Sequence, residues 1–111
     1  MIQVTIQKGP GPDDYRGFEM SGHANSDQRG KDLVCCAAST LGIGTVNLLG
    51  ELLGLPIKRK LADGYLSVHL PEDLDAEALT LARFAIQGFQ YNMRELAKSY
   101  PNYISIQIRK E

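Results

Sequence analysis

The sequence predicts a single α+β domain of order ββαββαβ, with two helices packed on a mixed five-stranded sheet. Three observations carry that prediction: short stretches where apolar and polar residues alternate, two long stretches with helical apolar spacing, and turn-forming Gly, Pro and Asp between them. At 111 residues the chain supports one core, so residues 1–111 are read as one domain.

Ile2, Val4 and Ile6 alternate with polar residues and form a first strand with a buried face. Gly9-Pro10-Gly11-Pro12-Asp13-Asp14 ends it as a turn. A second strand follows from Tyr15, with Phe18 and Met20 inward and Glu19 and Ser21 outward, and the two pair as a hairpin. The loop Ala24–Lys31 precedes Asp32, an N-cap residue type, for a helix from Leu33 to about Leu53, closed by Gly54 and Pro56. Gly42, Gly44 and Gly50 inside this helix predict close approach to a neighbouring element. Ile57–Leu61 and Tyr65–Leu70 flank Ala62-Asp63-Gly64 and make a second hairpin. Lys58-Arg59-Lys60 marks its first strand as a lysine-protected sheet edge. The second helix runs from Asp75 to Ser99 with a core stripe of Leu74, Ala78, Leu81, Ala85, Phe89, Met93 and Leu96; Phe84 and Tyr91 lie off the stripe. After Pro101-Asn102, Ile104, Ile106 and Ile108 alternate as the last strand.

Charge and composition exclude several classes. A net charge of −1 and a pI near 6.1 provide no basic field for nucleic acid or an anionic membrane. Met1 leads directly into a strand pattern, so no signal peptide is expected. Leu41–Leu55 is interrupted by Thr45, Asn47, Glu51 and glycines and reads as too polar and too short to span a bilayer. Cys35 and Cys36 are adjacent with no third cysteine, which argues for reduced thiols and a cytoplasmic setting. Two cysteines beside dispersed His23 and His69 lack metal-ligand spacing, so no metal or other cofactor is expected.

The chemistry concentrates in SGHANSDQRGKDLVCC, residues 21–36. With Asp32 as N-cap, Cys35 falls in the first helical turn, where a thiolate is favoured. His23 is within loop reach as a general base, and Asp32 either caps the helix or orients the imidazole. Ser39 stands one turn beyond Cys35, as a supporting hydroxyl or merely back-bonded to the helix. Cys36 points away and is assigned to packing, and His69 is read as simply exposed. Residue chemistry alone leaves open a thiol active site, a vicinal-thiol redox sensor, and a non-enzymatic module that binds ribosomal protein or RNA.

The motif Gly22-His23-Ala24, Gly30, Asp32-Leu33-Val34-Cys35 and Ser39 resembles that of the ribosomal-processing cysteine proteases, the Prp or YsxB-like family. The resemblance extends over nearly the whole chain. It implies a homodimeric endopeptidase that removes a short N-terminal extension from a precursor of large-subunit ribosomal protein twenty-seven, cleaving after an apolar segment that ends in aromatic residues. Some members of the family are also implicated in processing phage structural proteins. It further implies Cys35 as nucleophile, His23 as general base and then acid, Asp32 and Ser39 in supporting roles, and a substrate-gating loop containing Gly22, Ala24, Asp27 and Gly30. The family commonly has glycine where Asp27 stands and alanine where Cys36 stands. Neither nucleic acid nor a membrane is required.

Overall fold

The computed structural model describes the backbone of residues 1–22 and 29–111, and the side chains of residues 1–22 and 33–111. Strands β1 (Ile2–Lys8) and β2 (Tyr15–Ser21) precede helix α1 (Arg29–Asn47), which continues as a π-helical turn, Leu48–Leu52. Strands β3 (Lys58–Ala62) and β4 (Tyr65–His69), helix α2 (Ala76–Ser99) and strand β5 (Ile104–Lys110) complete the expected ββαββαβ order. The sheet order is β3-β4-β2-β1-β5. Only the β1–β5 pair is parallel, so the five-stranded sheet is mixed.

Alternation fixes which face of the sheet is covered. Ile2, Val4, Ile6, Phe18, Met20, Leu66, Val68 and Ile104 are buried, and they meet Val34, Ala38, Val46 and Leu49 from the first helical segment and Ala82, Ile86, Phe89 and Met93 from α2. Phe18 stacks on Phe89 with ring centroids 3.9 Å apart and planes 19° from parallel, an aromatic contact that adds to the burial of both rings. The opposite face is polar and cross-linked between strands. Tyr65 Oη donates to Glu19 at 2.8 Å, Gln107 donates to Thr5 at 3.1 Å, and His69 Nδ1 lies 3.1 Å from Gln7 Oε1. His69 is thus half-buried in a side-chain pair rather than simply exposed.

Several local expectations hold. Strand β3 is a sheet edge and is exposed along its length, including Lys58-Arg59-Lys60. Asp75, read as the start of the second helix, stands one residue outside it as the N-cap, accepting from the Ala78 N–H at 2.8 Å. Gly42 permits close helix–sheet packing: a Cβ there would stand 2.6 Å from Met20 Sδ and 2.8 Å from a Leu66 methyl. A Cβ at Gly50 would strike the Arg59 guanidinium, whereas one at Gly44 would meet nothing, so only two of the three glycines answer to close approach.

Three expectations require correction. Helix α1 begins at Arg29 rather than Leu33, four residues earlier. Leu33–Leu52, a longer window than Leu41–Leu55, is a helical stretch of 20 residues long and apolar enough by length and composition to cross a membrane; Val34, Ala38, Val46 and Leu49 nevertheless bury one side of it in the sheet core. In the first half of α2 the buried positions are Ala82 and Ile86, whereas Leu81 is exposed. Counting back from Phe89 by three and then four residues reaches Ile86 and Ala82, so the expected stripe was rotated there by one residue, about 100°.

At the end of the sheet bearing the β1–β2 turn, Asp14 joins three elements. Its carboxylate accepts from Arg83 of α2 at 2.7 Å and from Arg16 of β2 at 3.1 Å. The Arg16 hydrogen bond, with Arg83 beside it, holds the Asp14 carboxyl below its ordinary value. A depressed carboxylate pKa contributes stability that is present above the unfolded value, about 3.9, and is lost as pH falls through the folded one. Asp14→Asn is therefore expected to cost about 1 kcal/mol near neutral pH. In parallel denaturant titrations its deficit relative to wild type should shrink as the pH is taken below 4.

Candidate functional site

The buried stripe of α1 decides how its two thiols are presented. Val34 and Ala38 are fully buried. Cys35 lies about 100° from Val34 along the helix, on the flank of that stripe, and is half-buried. Cys36 lies about 200° from both and is exposed, in company with Leu33, Thr40 and Ile43. The packing role expected for Cys36 is therefore wrong, because its neighbours on the helix face solvent rather than the core. Among the described residues neither thiol is in a disulfide.

The early start of α1 also revises Asp32. It is the fourth helical residue, not the one preceding the helix, so it is not the N-cap. Cys35 is the seventh, in the second turn, beyond the first four residues whose N–H groups lack intrahelical acceptors. The thiol thus gains less from the helix end than an N3 position would give. The Asp32 side chain lies outside the described residues, as do His23, Ala24 and Asp27 entirely. Gly30 is the second residue of α1.

Cys35 opens onto a cavity of about 180 Å³. Met20, Ile43, Leu61 and Leu66 line it with apolar surface, and Ser39, one turn beyond Cys35, contributes a hydroxyl. Thr40 and Thr45 bond back to helix carbonyls at 2.8 Å each; among the described residues Ser39 makes no such bond. Ser39 is thus not back-bonded to the helix, and it lines the cavity. The far wall is the β3–β4 turn, Leu61 to Tyr65, including Asp63. That hairpin was legible from Asp63-Gly64. Its place beside Cys35 was not, because it depends on β4 pairing with β2, with Met20 opposite Leu66 and Ser21 opposite Tyr65.

Gly22 fastens this corner. It has φ +91°, and its N–H donates to Gly64 O at 2.9 Å, tying the end of β2 to the hairpin turn. A Cβ at Gly22 would lie 2.5 Å from Met1 O. A larger cavity, about 360 Å³, lies at the other end of the sheet and contains neither thiol. The smaller one is the candidate reactive site because Cys35 lines it. Among the described residues no three His, Cys, Asp or Glu side chains gather as metal ligands.

A half-buried thiol with a hydroxyl one turn away, over an apolar cleft on a two-layer α+β fold, suits a small thiol hydrolase. A family model described as cysteine protease Prp matches residues 1–105, and the chain belongs to that family: it is a cysteine protease. It is 32% identical over 108 residues to the ribosomal processing cysteine protease Prp of Bacillus subtilis strain 168, covering 96% of each chain. The structure of SMU.848 from Streptococcus mutans matches with a TM-score of 0.80 at 27% identity, covering 100% of this chain and 96% of that one. The S. aureus ribosomal processing protease Prp with a substrate peptide matches with a TM-score of 0.81 at 20% identity, covering 98% and 100%. At that identity the likeness is one of fold. Family membership decides against the non-enzymatic binding module.

Replacing Gly22 tests the backbone tie at this corner. Gly22→Ala places a side chain at a left-handed φ and against the Met1 carbonyl. It should lower stability by at least about 1–2 kcal/mol. Urea unfolding gives that cost directly, and proteolytic rate per folded molecule reports any distortion of the Cys35 cavity.

Proposed function

We propose that this protease removes the short N-terminal extension from a precursor of large-subunit ribosomal protein twenty-seven, cutting after an apolar or aromatic segment. The observation that carries the reading is Cys35 at an apolar cavity within a chain that the Prp family model covers from residue 1 to 105. The ribosomal processing named for the B. subtilis relative supports the substrate class. The apolar walls at Met20, Ile43, Leu61 and Leu66 suit an aliphatic or aromatic side chain better than a charged one.

In the proposed reaction His23 accepts the Cys35 proton as the sulfur forms a bond to the scissile carbonyl carbon. The tetrahedral intermediate collapses with cleavage of the C–N bond, and the leaving amine takes the proton from His23. Water, deprotonated by His23, then hydrolyses the thioester and restores the thiol. Ser39 lies one turn from the reacting sulfur and supports it or the substrate carbonyl through its hydroxyl. Asp32 orients His23, the role that remains once capping is excluded. Gly22, Ala24, Asp27 and Gly30 belong to the segment that admits substrate. The enzyme works in the reducing cytoplasm, a setting that suits a nucleophilic thiol with an exposed cysteine next to it.

The working unit is a homodimer. An unpartnered apolar face on the helical layer supports this: Leu52 is 78% exposed, Phe84 73% and Leu81 45%, beside Leu48 and Gly88. Exposed apolar surface of this kind marks an association face.

Incubation with a precursor peptide, read by mass spectrometry, tests the chemistry. Cys35→Ala and His23→Ala should each abolish cleavage, a loss of at least about a thousandfold, while Cys36→Ser keeps most of it. Cleavage that survives Cys35→Ala would remove the nucleophile assignment. For assembly, Phe84→Glu is expected to convert a dimer to a monomer in sedimentation velocity, with secondary structure unchanged by circular dichroism.

A further inference from the structure

The larger cavity, about 360 Å³, lies where the β1–β2 turn, the end of β4 and the first turns of α2 converge. It falls within the ordinary range of small-ligand pockets, about 300–1,000 Å³. It is separate from the thiol site: Arg16 and Gly22 stand at opposite ends of β2, about 20 Å apart at about 3.3 Å per residue. Its apolar wall is Tyr15, Leu70, Pro71 and Leu79, and its charges are of both signs.

Arg16 and Arg83 share the Asp14 carboxylate, so the cluster carries one guanidinium charge more than that carboxylate balances. Arg16 has Glu111 only at 4.0 Å. A guanidinium presents five N–H donors. Arg16 and Arg83 each use Nη2 on Asp14, and their side chains remain 42% and 35% exposed. Donor capacity for an oxoanion is therefore left over on one side of the cavity. Glu72 and Glu111 line the same cavity, and among the described residues Glu72 has no ion-pair partner. A simple anion would meet those carboxylates unfavourably. A molecule with one charge of each sign satisfies both groups.

We propose that this cavity is a second binding site for a short zwitterionic peptide, its carboxylate held by Arg16 and Arg83 and its ammonium by Glu72 and Glu111. Peptide-bond hydrolysis creates a free carboxylate on one product and a free amine on the other, so ligands of this class are available to a protease. The site binds such a peptide at the opposite end of β2 from the thiol cavity, about 20 Å along the strand, and no chemistry occurs there.

The dipeptide Ala-Leu, titrated into the isotope-labelled full chain and followed by NMR, tests the proposal. Saturable shifts at Leu70, Leu79 and Arg83 are expected, with those at Gly64 and Leu66 unchanged. N-acetylation and C-amidation of the dipeptide should each weaken binding about tenfold. Glu72→Gln, an exposed substitution that leaves the fold and precursor cleavage intact, should weaken the uncapped dipeptide by a similar factor. No saturable binding at millimolar dipeptide overturns the site. Equal affinity of the capped forms, or an unchanged Glu72→Gln, overturns the charge recognition, and shifts centred on the thiol cavity overturn the location. Each of these results leaves Cys35-dependent cleavage to be judged separately.

Discussion

The pairing of β2 with β1 on one side and β4 on the other is the constraint on which the rest of the structure depends. Phe18 sits opposite Ile6 in one ladder and Val68 in the other, and is fully buried. Its ring stacks on Phe89, so one side chain joins the centre of the sheet to α2. Burying a side chain of that size contributes about 1.5–3 kcal/mol. The geometric consequence matters more than the energy. Because β4 is antiparallel to β2, the β3–β4 turn arrives at the end where β2 stops and α1 begins. Without that pairing Cys35 would sit on a helix flank facing solvent, with no apolar wall across from it.

The second determinant is the phase of α1. A helix that buries Val34, Ala38, Val46 and Leu49 has no freedom left in how it presents residues 35 and 36. One thiol is placed at the seam between helix and sheet and the other toward solvent. Adjacent cysteines in sequence are thereby given different environments by a rotation of about 100°. Desolvation of the Cys35 seam and access to it are set by the same packing, since Met20 and Leu66 contact both Gly42 and the cavity.

How much of this was legible depends on the range of the interaction involved. Strand alternation reports on a local face, so Ile2, Val4, Ile6, Phe18, Met20, Leu66 and Val68 were readable as core. The Asp63-Gly64 turn signal is also local. The errors arose where a second element chooses among similar helical phases. Leu81 and Ala82 both fit an apolar stripe, and the sheet selected alanine. Cys36 had apolar neighbours on its own helix, but the sheet lies against the other side. The Asp32 error is of another kind: a good capping residue also fits inside a first turn, where acidic side chains are favoured. Cys35 and Ser39 were found by spacing and do share a cavity. Its walls at Met20, Leu61 and Leu66 could not be found that way, because they are brought there by long-range ladders.

The two ends of the sheet are closed by different physics, and this bears on the surroundings of Cys35. One end is fastened by charge, with Asp14 joining the β1–β2 turn, β2 and α2 through two guanidinium groups. The other end is fastened by backbone, through the Gly22 N–H on Gly64 O and a left-handed glycine. A charged cluster beside the thiol would bring carboxylates into the cavity and oppose the thiolate. A backbone tie brings no net charge. The separation therefore leaves Cys35 with apolar walls, one serine hydroxyl and Asp63 at the turn as the only charged group among the described lining residues. Among the described residues the Asp14 ion pairs hold the fold at the end of the sheet away from Cys35.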